Sequence, residues 1–315
     1  MKKKLIATLV AGAVLSTGII GLTACGGGLS IPKGGEVADE VAWVKAFTDT
    51  VALKNYTLES YSSIDYTLKG AYKKNSKDVP VDITSKATAS NLVLYDSENN
   101  KAYSEMSTNS DAKGTINGVE EGGKYSSTNK AYYELSEEKD SVKSYWRAKY
   151  SKGEIKSTEG VSSEEEYWNA YETTSFMYSA MIGLSTNVMF YETEEALIPQ
   201  SVAALYDKFT YDGGVYTATL YVTADFNKAE DKVECKVTVS IKDGYVIGLG
   251  YKTGKIEDTL NSSATGDTYD YTYTYNADVV YVVSNVKSTD VSTKASKDIT
   301  KAIQKAKDEK AADEN

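Results

Sequence analysis

The chain switches between two hydrophobic periods. Over residues 36–54, Val37, Val41, Val44, Phe47 and Val51 recur at three- and four-residue spacing with Trp43 beside them, which predicts one amphipathic helix with a single buried stripe. After Asn55 the period becomes two. Tyr56 and Leu58, then Ile64, Tyr66 and Leu68, alternate with polar residues and predict strands. The alternation continues through residues 79–95, 101–107, 132–135 and 144–150, separated by turn formers such as Ser97-Glu98-Asn99-Asn100, so an antiparallel meander is expected. A second helical region is predicted where Ser162 and Ser163 precede Glu165 and Glu166 as in a capping box, with Tyr167, Trp168, Tyr171, Met177, Met181, Ile182 and Leu184 as its apolar face. Residues 194–206 could hold a further short helix broken near Pro199.

Strands return at 209–211, 216–222, 233–241 and 245–251, with turns at Asp212-Gly213-Gly214 and Asp243-Gly244. The last strand, over 268–275, puts Tyr269, Tyr271, Tyr273 and Tyr275 on one face. Residues 288–315 are rich in Lys, Ala, Asp and Glu, with little beyond Ile299 and Ile303 to bury, and read as a solvated helix or a disordered tail. Because a sheet needs one apolar face covered, this order predicts an α+β domain with one large antiparallel sheet and helices on one face.

The first residues are of another kind. Met1 to Lys4 form a short basic region and residues 5–20 an apolar one, followed directly by Leu22, Thr23, Ala24 and Cys25. That is a signal peptide rather than a membrane span. Leu-Thr-Ala-Cys resembles the bacterial lipobox, which implies that Cys25 receives a diacylglycerol, becomes the first mature residue and holds the protein on the outer face of the cell membrane. Residues 1–24 are then the leader, 25–35 (with GGGLSIPKGG) a flexible tether, 36–287 the domain and 288–315 the charged tail. Losing Lys2, Lys3 and Lys4 makes the net charge of −10 more negative by three, so the body is repelled by an anionic leaflet.

Composition removes several chemistries. The 315 residues contain no histidine, which excludes Ser-His-Asp and Cys-His triads and His-ligated metals. The acidic balance makes nucleic acid a poor partner. Twenty-six tyrosines against five phenylalanines favour a pleated, half-exposed surface. Cys235 lies on the apolar face of Val233, Val237, Val239 and Ile241 and reads as a buried small hydrophobe. Ser127-Thr128-Asn129-Lys130, Ser185-Thr186-Asn187 and Lys252-Thr253-Gly254 follow the order of penicillin-binding motifs, but Ser127 leads into a strand, where it would not share a face with Lys130. Glu164, Glu165, Glu166, Glu194 and Glu195 read as helix-terminal charges rather than a glycosidase pair. Asp96, Glu98 and Asn100 lack the glycine and distal glutamate of a calcium loop. No cofactor is expected.

The lipobox, the Trp43 and Phe47 helix leading into Asn55-Tyr56-Thr57, and the late strand-Asp-Gly-strand hairpin together resemble the extracytoplasmic carriers of the LolA, LppX and LprG kind, over roughly residues 36–286. The resemblance implies a strongly curved sheet, an incomplete β-barrel, covered by helices on its concave face. It also implies a non-enzymatic carrier or sensor of a hydrophobic or amphiphilic ligand. Residues fitted to such a ligand are Trp168, Tyr171, Met177, Met181 and Ile182 on the helical face and Tyr271 and Tyr273 on the tyrosine strand. The alternative is a surface module that binds glycan or a partner protein through exposed tyrosines. Cys25→Ser should release the protein from the membrane fraction on cell fractionation, and retention there would contradict the lipobox reading.

Overall fold

The computed structural model describes residues 29–74, 77–157, 160–163, 167–174, 176, 189–190, 195–196, 202–223, 232–264 and 267–313. Fifteen strands among them form one curved antiparallel sheet that is not closed into a barrel. Five long strands make a meander: β1 (Asn55–Lys74), β2 (Lys77–Asp96), β3 (Lys101–Ile116), β4 (Val119–Lys139) and β5 (Val142–Ser157). Both β6 (Gly160–Ser163) and β7 (Trp168–Thr173) pair with β5, at its two ends. Beyond β7 in the chain come the two-residue strands β8 (Met189–Phe190) and β9 (Glu195–Ala196), then β10 (Thr210–Asp212), β11 (Val215–Thr223), β12 (Lys232–Lys242), β13 (Tyr245–Thr253) and β14 (Ile256–Ala264). The last strand, β15 (Asp267–Ser284), closes back onto β1 and is shared on its other side by β13 and β14.

The long strands turn tightly. Asn117-Gly118, Asp140-Ser141 and Asp243-Gly244 each take positive φ at both residues, the geometry whose twist matches two right-twisted strands. β1 is one strand, not the two segments its apolar residues outline, because it pairs with β2 along its whole length and with β15 over 17 registered positions. Backbone pairing on both sides carries it through the polar stretch Ser60 to Ser63.

Period two gives the sheet two faces. The inner one is covered by α1 (Glu40–Val51), which Asp39 caps by accepting a hydrogen bond from the Ala42 amide at 2.9 Å. The helix is where the apolar spacing placed it, but the buried stripe is different. Trp43, Ala46, Phe47 and Thr50 are buried, whereas Val37 and Val41 are 70% and 77% exposed and Val44 is exposed as well. The large rings decide the rotation. Trp43 is fully buried against Phe47, Tyr206, Phe209 and Tyr216, with ring centroids 4.9 to 5.8 Å apart, and its Nε1 donates to the Ala203 carbonyl at 3.0 Å. Two aromatic rings bury far more area than three valines on the neighbouring stripe.

The outer face is covered at both ends by segments read as free. Residues 297–313 form a helix, α2 (Lys297–Asp313), whose Ile299, Ala302, Ile303 and Ala306 are buried. Ile299, Ile303 and Ala306 pack with Leu94, Tyr103, Tyr132, Trp146 and Ala148 on the outer face of β2 to β5. The tail is thus neither disordered nor solvated all round. Glu172 of β7 fixes it, accepting from Lys310 Nζ, Ser136 Oγ and Ser144 Oγ, each at 2.7 Å. At the opposite end Ile31 lies over Gly248 and Gly250, where a Cβ would come within 2.7 and 2.5 Å of it, and Gly34 donates to Ser240 Oγ at 2.7 Å. The last residues of the expected tether are therefore docked, because two glycines on β13 leave a trough that fits Ile31.

The expected helical region from Ser162 to Leu184 is also corrected, where its residues are described. Gly160–Ser163 and Trp168–Thr173 are strands, since β5 offers an open edge and Trp168, Tyr171 and Thr173 suit a pleated surface. Met177, Met181 and Ile182 lie outside the described residues, as does Pro199.

Trp43→Ala should cost about 3 to 5 kcal/mol of stability in denaturant unfolding, the range for a buried large ring, and a loss under about 1 kcal/mol would contradict its place in the core. The Glu172 carboxyl is held down to about 2 by Lys310 and the two serine hydroxyls. A depressed carboxyl stabilises fully above its unfolded value and stops doing so as the pH falls through its folded one. Docking of α2 is therefore expected to be intact above about pH 4.5 and to weaken as the pH falls toward 2. Glu172→Gln should loosen it at neutral pH by about 1 to 2 kcal/mol, read as faster hydrogen exchange over residues 297–313.

Candidate ligand-binding face

The register lines inner side chains up in layers across the sheet. At one end, Tyr56, Tyr95, Ala102, Tyr133, Arg147 and Tyr171 share a layer. Further along, Ser60, Asn91, Met106, Asn129 and Ser151 form the next but one, and Ser62, Ala89, Thr108, Ser127 and Gly153 the layer after it. Ile64, Ala87, Ser110, Tyr125 and Ile155 follow, then Tyr66, Ser85, Ala112 and Gly123. The middle of the inner face is thus a belt of small hydroxyl, amide and methyl groups. On its β15 side Tyr281, Val279 and Ala277 continue the layers into Leu249, Tyr251 and Thr253 of β13.

Charge separates the faces. Across β1 to β5, from the Tyr56 layer to the Tyr66 layer, the described inner-face residues include no carboxylate, and the cations among them are Arg147 and Lys149. On the outer face lysine and carboxylate alternate across the strands, as in Lys69–Asp82 at 3.3 Å, Lys124–Asp111 at 3.2 Å, Lys130–Glu105 at 2.9 Å and Lys252–Asp278 at 3.1 Å.

Ser60 Oγ, Ser110 Oγ, Tyr251 Oη and Arg147 Nε are buried with no hydrogen-bond partner among the described residues. All four point into the inner face. Ser60 is fully buried, and Ser62 and Asn91 beside it are buried too. Burial holds the Tyr251 phenol far above its ordinary range, so it remains a donor, and pushes the Cys235 thiol on the same face up to about 12, so it stays a neutral, unreactive packing group. Nothing in the composition of β1 marks Ser60 and Ser62. The signal was their even spacing with Tyr56, Leu58 and Ile64, which puts hydroxyls at core positions.

The residues expected to hold a ligand do not converge on one site. Tyr171 belongs to the inner face, 5.8 Å from the Arg147 guanidinium, whereas Trp168 is on the outer face beside Tyr150 at 5.6 Å and the α2 cluster. Three residues apart is one helical face but two opposite strand faces. Tyr271 and Tyr273 share the inner face as expected. Tyr271 is buried with Leu68, Val81, Ile83 and Ala112, and Tyr273 stacks between Tyr66 and Tyr275 with centroids 6.3 Å apart on each side. The lipobox residues Leu22, Thr23, Ala24 and Cys25 lie outside the described residues. So do Glu164, Glu165, Glu166 and Glu194. Ser127 faces inward, and Lys130 faces outward onto Glu105. Asp96 accepts from the amide and side chain of Asn99, as in an ordinary turn.

A polar cleft of about 650 Å³ lies at the far half of the strands, lined mostly by outer-face groups such as Asp65, Thr67, Lys86, Asp111, Lys113 and Asn276. Lys86 faces Asp65 at 3.7 Å. Such solvated pairs hold little binding energy in reserve.

No protein-family model and no curated protein matches the chain. Among solved structures it is similar to a beta-barrel-like protein of a domain of unknown function, DUF1849, from Brucella abortus, at 12% identity over 73% of this chain and 99% of that one, with a TM-score of 0.22. The translocator domain of the autotransporter NalP from Neisseria meningitidis gives 10% identity over 76% and 92%, with a TM-score of 0.16. A Pseudomonas aeruginosa FadL homologue gives 7% over 80% and 95%, with a TM-score of 0.15. Likenesses this low carry nothing over to the site.

Proposed function

We propose that this protein is a lipid-anchored, extracytoplasmic envelope protein of a bacterial cell membrane that binds a hydrophobic or amphiphilic ligand on the inner face of its sheet, without catalysis, as a carrier or sensor. The observation that carries the reading is the set of buried polar atoms without partners on that face, Ser60 Oγ, Ser110 Oγ and Tyr251 Oη above all. A buried hydroxyl left unpaired costs about 1 to 3 kcal/mol, so a guest that displaces the packing over this face and bonds to these groups recovers that cost. Uncharged surroundings of small and aromatic side chains suit a guest that is itself largely apolar.

The resemblance to the LolA, LppX and LprG carriers supports this reading, and so does the lipobox. With Cys25 acylated, Ile31 follows six residues later, a span of at most ~20 Å, and holds the body close to the bilayer. A ligand leaving the membrane would then have a short path. Glycan recognition through exposed tyrosines draws less support, because Tyr271 is buried and Tyr66, Tyr273 and Tyr275 are partly so.

Native mass spectrometry of residues 26–315 with a mixture of bacterial lipids should show a near-stoichiometric adduct. A clean apo mass, with uptake of oligosaccharides instead, would overturn the amphiphile reading.

A further inference from the structure

Arg147 is the only arginine among 35 basic residues. Its guanidinium stands over the rings of Tyr133 and Tyr171 at 5.3 and 5.8 Å, and its Nε is buried without an acceptor. The lysines of the outer face hold carboxylates across the strands, but no carboxylate among the described residues is within ion-pair distance of Arg147. The next inner-face carboxylate along the strands is Glu138, which already holds Lys143 at 3.5 Å.

A guanidinium carries a positive charge spread over a planar fork of N–H donors. Placing it partly out of water without a counter-ion is costly, and aromatic faces offset only part of that. Ring faces also leave the in-plane N–H fork unmet. That fork matches the paired oxygens of a carboxylate or phosphate, and Lys149, next along the same face of β5, adds a second positive charge. Beside it Phe176 stacks on Tyr145 at 4.4 Å and lies 5.7 Å from Tyr95, a wall suited to an apolar body.

We propose that Arg147 binds the oxyanion, carboxylate or phosphate, of an anionic amphiphile whose apolar part lies along the inner face. This rests on the reading of the inner face as a ligand site.

Calorimetric titration of residues 26–315 with decanoate, decyl phosphate and decanol separates the two. Decanoate or decyl phosphate should bind about tenfold or more tightly than decanol, as one charge-assisted bond provides, and whichever of the two is tighter identifies the oxyanion. Arg147→Gln should remove that preference, and Arg147→Lys should keep part of it. Equal affinity for decanol and both anions in the wild-type chain would overturn the role of Arg147 while leaving the ligand face standing, and it needs no variant to fold. Failure of all three probes to bind would overturn both.

Discussion

One register, held across strands of 16 to 21 residues, governs the molecule. Because successive side chains point to opposite faces, a slip of one residue in any long strand would carry lysines and aspartates into the interior and hydroxyls and rings into water. The tight turns at Asn117-Gly118 and Asp140-Ser141 pin that register, and paired charges on the outer face penalise its alternatives. Everything proposed about the ligand follows from the resulting asymmetry of one charged and one nearly neutral face.

The two faces are closed by different means. On the inner one, the rings around Trp43 give α1 a specific seat, and Thr50 extends it by accepting the Val246 amide at 2.8 Å. On the outer one, α2 packs a narrow stripe of Ile299, Ile303 and Ala306 on β2 to β5, and the carboxylate of Glu172 meeting Lys310 and two serines fixes its far end.

Much of the sheet was legible. The Trp43 and Phe47 helix, the Asp243-Gly244 hairpin and the tyrosine strand were in the spacing, because alternation and turn chemistry are local. What was not legible depended on distant partners. The first part of the helical region expected from Ser162 to Leu184 gave way to β7 because the edge of β5 was available, a fact no local window contains. Val41 and Val44 read as core until the bulk of Trp43 and Phe47 set the helix rotation. The even spacing of Ser60 and Ser62 with Tyr56, Leu58 and Ile64 carried their inward direction, whereas that of Ser110 follows from the pairing of β1 to β3. Arg147 gave one signal, its uniqueness, and needed the rings of Tyr133 and Tyr171 to give it meaning.

The central claim is that the buried hydroxyls of the inner face are met by a guest. A crystal structure of residues 26–315, purified without delipidation and at a resolution that shows water, tests it most directly. The account predicts density from an elongated molecule or its ordered water within hydrogen-bond distance of Ser60 Oγ, Ser110 Oγ and Tyr251 Oη. A dry interior in which these hydroxyls bond to the protein itself would contradict it.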